Sequence, residues 1–283
     1  MQYDLEGRIR TMKCEGAMVG KCRLCLQDGV ILKRSHYLPA GVYRLLRDTT
    51  GLSNPNPYQL TGRGSVQTSK QQREFLLCND CEQRLCKQGE NWVLAHAKQP
   101  TGAFALESIL SKATPSVYEL GNPTKLYETA LIPEVNRDAL LYFAASVFWR
   151  GSIHGWNDDG SVPVNLYSYK EQFRRFLMGD LPFPRSASLW VIVRDGEEIS
   201  QLTYAPSGLS RFGITMYRFT IPGFVFMLSV GRKIPERLRQ YCILRGAGNP
   251  VVQTTIAEPW LMAEAREKLQ QGMKARQNRQ GGR

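Results

Sequence analysis

The chain has 283 residues, 42% hydrophobic and 22% charged, a globular composition with enough apolar side chain for a real core, which excludes a largely disordered polymer. Its longest apolar run, "GFVFMLSVG" at 223–231, falls well short of the ~20 residues that span a bilayer, and "MQYDLEGRIR" has no apolar signal core, so a cytoplasmic protein without a membrane partner is expected. Residues 1–100 carry a net charge of +6, 101–200 of −3 and 201–283 of +9; basic ends around an acidic middle suit a polyanion, with nucleic acid ahead of an acidic protein or a membrane surface.

Residues 1–20 carry no clear pattern. "KCRLCLQDG" (21–29) has the form of a knuckle, two cysteines on a tight turn followed by Asp-Gly. "VILKRSHYL" predicts a short strand ending near His36, and "AGVYRLLRD" one or two helical turns with Val42, Leu45 and Leu46 on one face. The stretch 53–72, rich in Asn, Pro, Gly, Ser and Thr, reads as loop, with Arg63 and Lys70 placed to lie along a phosphate backbone. "REFLLCNDCEQRLCKQGENWVLAHA" starts extended at 75–77, turns through a second knuckle and continues as a helix from about Asp80.

Beyond Gln99 comes a connecting region with a short helix, and then "NRDALLYFAASVFWRGSIHGW", read as an amphipathic helix with Leu140, Phe143, Ala144, Val147 and Phe148 on its apolar side. "YSYKEQFRRFLMG" predicts a second helix closed by Gly179. The rest is strand-rich: a hairpin about Asp195-Gly196, then "FGITMYRFTI", "GFVFMLSV", "YCILRG" and "VVQTTIA". From Met262 a frayed helix and a basic tail are expected. The division is thus a zinc-binding domain at 1–99, a connector at 100–130, an α+β domain with a mostly antiparallel sheet at 131–261, and the tail at 262–283.

Seven cysteines without a signal peptide do not form a disulfide framework. Cys22, Cys25, Cys78 and Cys81 make two Cys-x-x-Cys pairs with 52 residues between them. Four soft thiolates close a tetrahedral shell, so the pairs read as a structural Zn²⁺ site. Cys14, Cys86 and Cys242 read as small buried residues, with Cys86 near enough to serve as a substitute ligand.

The order Cys-x-x-Cys, strand ending in Ser-His-x-x-Pro, polar loop, Leu-Leu-Cys-x-x-Cys opening a helix resembles the zinc-stabilised, treble-clef form of the HNH (ββα-metal) nucleases, over about residues 21–95. The resemblance implies a metal-dependent DNA endonuclease or nickase, of the kind that serves prokaryotic defence (phage defence) or mobile elements. It places the general base on His36, with Pro39 at the matching proline, and the structural zinc on the four cysteines. It also implies a catalytic Mg²⁺ or Mn²⁺. The chain departs from the family at Ser35, where the family carries Asp, at Arg73 in place of the middle Asn, and at Glu82 in place of the final His or Asn. Glu82 is then the candidate ion ligand and Glu90, two turns on, a second carboxylate, while Gln71 or Gln72 would orient His36. Arg34, Arg63, Lys70 and Arg84 are the candidate phosphate contacts.

The chemistry is coherent, because hydrolysis of a phosphodiester needs a base with a pKa near neutrality and a hard cation. The competing assignments are a strand-end polar His36, and Glu82 and Glu90 on a solvated helix face pairing with Arg84 or Lys87. His96 and His154 read as structural or surface residues, and Trp92 and the aromatic stripe at 142–149 as core. The alternative function is a non-catalytic zinc module that binds nucleic acid or a protein partner. The domain at 131–261 suits a sensing or docking role towards such a partner.

Overall fold

The computed structural model describes residues 18–47, 58–61, 64–67, 71–118, 124–157, 159–194, 203–211, 214–231, 233–245 and 248–254. The fold is α+β, and no described helix is long and apolar enough to cross a membrane. In chain order the first half contains β1 Met18–Gly20, β2 Val30–His36, α1 Ala40–Arg47, β3 Tyr58–Thr61, β4 Gly64–Gln67, β5 Arg73–Cys78 and α2 Asn79–Leu85. A π turn, Cys86–Glu90, carries α2 directly into α3 Asn91–His96. Then follow α4 Ala105–Leu110, β6 Val117–Tyr118, β7 Thr124–Glu128, α5 Arg137–Ile153 and α6 Lys170–Met178. The chain continues through β8 Ala187–Arg194, β9 Tyr204–Arg211, β10 Ile214–Ile221, β11 Phe224–Val230, α7 Glu236–Arg239 and β12 Pro250–Thr254.

Two sheets result. The smaller is antiparallel in the order β1-β2-β5, with a register irregularity between Lys33 and Arg34 just ahead of His36. The larger has nine strands in the order β4-β3-β9-β10-β11-β8-β12-β7-β6, antiparallel except where β3 meets β9 and β12 meets β8. The β10–β11 turn is Pro222-Gly223, where proline presets the first corner and glycine supplies the φ of +83° that a side chain resists. α5 lies on one face of this sheet, with Phe143 5.4 Å from Phe226 and Phe148 5.0 Å from Phe219, ring centre to ring centre. One continuous core joins the zinc-knuckle residues Cys22, Leu24 and Leu77 to α5 and to the sheet strands.

The sequence expectations diverge from the fold in five places. The stretch 53–72, expected as loop, contains β3 and β4, because β3 gains a partner in β9 that local composition does not reveal. The connector at 100–130 holds its expected short helix, α4, but also supplies β6 and β7 to the large sheet. Asp195-Gly196, expected as a hairpin turn, lies outside the described residues, and the flanking strands are not neighbours: β8 pairs with β11 and β12, and β9 pairs with β10 and β3. The three strands β9, β10 and β11 run as a meander and return the chain to β8, a Greek-key arrangement. "YCILRG" is a turn, joined to β8 by the Ile243 N–H to the Leu189 carbonyl at 2.9 Å. Finally, α5 is buried on all sides from Ala139 to Ser152, as expected of a central helix rather than an amphipathic one. The helix ending at Gly179 is as expected, with φ +85° there and the Asp180 N–H returning to the Arg175 carbonyl. The expected helix from Met262 and the tail at 262–283 lie outside the described residues.

Candidate functional site

Cys22 and Cys25 sit on a tight turn in which the Cys22 N–H reaches the Gln27 carbonyl and Leu26 takes a left-handed φ of +65°. Cys78 closes β5 and forms the N-cap of α2, which carries Cys81 one turn in. The four Sγ atoms all lie within 4.8 Å of one another, and Cys25 and Cys78 are 3.9 Å apart. A tetrahedral zinc with bonds of about 2.3 Å separates its sulfurs by roughly 3.8 Å, so the cluster fits that ion. The Cys78 N–H points at the Cys22 sulfur at 3.4 Å. A hydrogen bond from the Cys81 thiol outweighs burial and pulls Cys22 down to about 4, while the same contact pushes Cys81 up. Binding of a metal ion there would displace the thiol protons.

The knuckle is tied to the second half of the chain. Arg174 of α6 donates to the Leu24 carbonyl at 2.7 Å, and Arg84 of α2 to the Met178 carbonyl at 3.3 Å. In the π turn, a Cβ on Gly89 would meet the Phe143 backbone nitrogen at 2.8 Å, so glycine permits α5 to cross this close.

His36, the last residue of β2, is half-buried and lies opposite Arg73 across the ladder. Burial lowers its pKa below the ordinary 6.5, with Arg73 and Arg150 adding to the effect, against the opposing pull of a Gln71 side-chain hydrogen bond and of Glu82. Burial thus favours the neutral ring, and of the two candidate glutamines Gln71 is the one whose side chain acts on it. Gln72 instead donates to the Trp156 carbonyl at 2.7 Å.

Ser35, almost fully buried, donates its hydroxyl to Glu82 Oε1 of α2. The structure thus brings strand and helix together at the positions singled out beside His36. Glu90 goes elsewhere: the π turn directs it to Arg150 of α5, whose Nη2 lies 2.6 Å from Glu90 Oε1. Arg150 is 1% exposed. Its pKa is raised: burial works to lower it, and Glu90 and Glu82 outweigh burial. Cys86 lies outside the four-thiol cluster, and its thiol donates to Asn91 Oδ1 at 3.0 Å.

Of the candidate phosphate contacts, Arg34 is exposed, with its guanidinium over the Phe75 ring at 5.7 Å. Arg84 is half-buried against α6, and Arg63 and Lys70 lie outside the described residues. Lys33 and Arg73 are also exposed on the small sheet.

Two members of the site, Arg150 and Trp156, have no motif. Arg150 carried one signal, a lone cation within the apolar run "LLYFAASVFWRGS", which burial obliges to find a carboxylate. No family model matches the chain, and neither does any curated protein or solved structure.

Proposed function

We propose that the chain is a metal-dependent DNA endonuclease or nickase of HNH type, in which β1, β2, β5 and α2 form a zinc-stabilised ββα-metal, treble-clef unit. The observation that carries this reading is the juxtaposition at the end of β2. His36 directly follows Ser35 at the end of β2, and the Ser35 hydroxyl donates to Glu82 Oε1 of α2, so two hard oxygens gather at the strand–helix contact that carries the histidine. That donor chemistry suits Mg²⁺ or Mn²⁺. Glu82 with Ser35 would hold the ion, which when bound supplies positive charge to the phosphate.

His36 does the proton work: its nitrogen takes a proton from water as the water oxygen bonds to phosphorus and the P–O bond to the leaving sugar oxygen breaks, that oxygen taking its proton from solvent. Gln71 would orient the ring, and burial favours its neutral form. The exposed Lys33, Arg34 and Arg73 beside it supply charge for the nucleic-acid backbone. The zinc cluster holds β5 and α2 to the knuckle, which fixes His36 relative to Glu82.

A second reading is favoured by the Glu90–Arg150 ion pair, which takes one expected ligand into an internal contact. In that reading the domain is a zinc module that binds nucleic acid without cutting it. Incubation of supercoiled plasmid with Mg²⁺ or Mn²⁺ separates the two. Nicking by the wild type that is lost in His36→Ala and Glu82→Gln supports cleavage, and equal nicking by wild type and His36→Ala refutes it. Steeply salt-dependent binding with no metal-dependent nicking selects the binding module.

A further inference from the structure

The structure assigns Trp156, on the segment that follows α5, as a positioning residue for His36, a role that rests on the reading of His36 as the base. Three contacts converge on it. Its buried indole stacks flat on Tyr37, the residue after His36, with ring centres 4.8 Å apart and planes 4° from parallel. Its carbonyl accepts from Gln72, the neighbour of the Gln71 that holds the His36 ring. Its Nε1–H donates to the Arg150 carbonyl at 2.8 Å, and Arg150 in turn grips Glu90 on the zinc helix.

One residue thus touches the chain neighbours of both His36 and Gln71, Tyr37 through its indole and Gln72 through its backbone carbonyl, and its indole N–H ties them to α5. The strands are linked there too, through the Tyr37 N–H to the Gln72 carbonyl at 3.0 Å. Tyr37 is further pinned by its hydroxyl, which donates to the Pro206 carbonyl at 3.1 Å and lies where a Cβ on Gly151 would stand. Tyr37 and Trp156 are both buried members of the main core. Trp156 is a point at which the large α+β region sets the aim of a ring that belongs to the zinc-bearing strands.

The test follows the His36 imidazole by NMR in the zinc-loaded full chain, at a single alkaline pH. The chain has three histidines, and His36→Ala identifies the signal. Trp156→Phe keeps a ring on Tyr37 and deletes the N–H donor; Trp156→Leu deletes the stack; Val252→Ala, in the separate core cluster, serves as a stability control. The expected result is a changed His36 ring signature in Trp156→Leu, a smaller change in Trp156→Phe, and none in Val252→Ala. In an active wild type, kcat for nicking falls about tenfold or more in Trp156→Leu while KM stays within about twofold, since misplacing a reacting group costs rate more than binding.

An unchanged His36 signature in both Trp156 variants, or an equal change in Val252→Ala, overturns the assignment. Should Trp156→Leu fail to fold, Trp156→Phe alone decides. An inactive wild type whose His36 signal still follows Trp156 refutes the cleavage reading and supports the positioning role.

Discussion

Replacing Arg150 with methionine removes one half of an ion pair whose side chains are 2% and 14% exposed. At an effective dielectric of about 20 and a charge separation of about 4 Å, the lost attraction is roughly 4 kcal/mol. Arg150 Nε has no hydrogen-bond partner, so deleting the guanidinium also relieves an unsatisfied donor, which returns about 1 kcal/mol. The net expected loss is about 3 kcal/mol, at the lower end of what breaking a buried pair costs. Urea unfolding of wild type, Arg150→Met, Glu90→Leu and the double variant measures it. The double variant should recover to within about 1 kcal/mol of wild type, because two apolar side chains replace two charges that no longer need each other. A single-variant loss below about 1 kcal/mol, or strictly additive losses in the double variant, would show that the pair does not couple α5 to the zinc helix.

Gly89→Ala should destabilise by about 1–3 kcal/mol, since its methyl group meets the Phe143 backbone rather than a movable side chain; a thermal melt at wild-type temperature would contradict the close crossing. Metal analysis of the purified chain should find one zinc per chain, and Cys81→Ser should lower both zinc content and melting temperature; identical melts with and without chelator would exclude a structural zinc. Because burial holds His36 below the ordinary 6.5, the unfolded chain binds a proton there that the folded chain refuses. Stability should therefore fall as pH drops below about 6.5 and level off above it. His36→Asn should flatten that slope in urea titrations, and an unchanged slope would place the titrating group elsewhere.

The local parts of the fold were legible where chemistry is local. The two Cys-x-x-Cys pairs specify a four-thiol cluster by ligand count alone, and the strand into His36 and the helix after Cys78 follow from short-range patterning. Partner choice was not legible. β8 and β9 flank an Asp-Gly that reads as a turn, yet each finds its neighbours from strands further along the chain. Tyr58–Thr61 looks like loop until β9 is available to pair with it. The same limit applies to the site. The family resemblance singled out His36 and Glu82, and the structure joins Glu82 to Ser35, the residue before His36. Glu90 was assigned a metal, whereas its carboxylate meets a guanidinium 60 residues away in sequence. A helical pattern shows which side of a helix is apolar; it does not show that a π turn rotates one carboxylate towards another helix.

The β3–β4 hairpin lies, in sequence, between the two halves of the four-cysteine cluster, and in space it occupies one edge of the nine-stranded sheet beside β9. During synthesis all four thiols leave the ribosome long before β9 does. The cluster can gather metal early, but the hairpin between its halves has no edge to join until residue 204 and beyond have emerged. A fragment ending near residue 99 would carry the whole metal site and still present an orphan strand edge, prone to pair with another copy. The four-thiol cluster is complete in sequence by Cys81, whereas the edge that the β3–β4 hairpin joins is supplied by the last third of the chain.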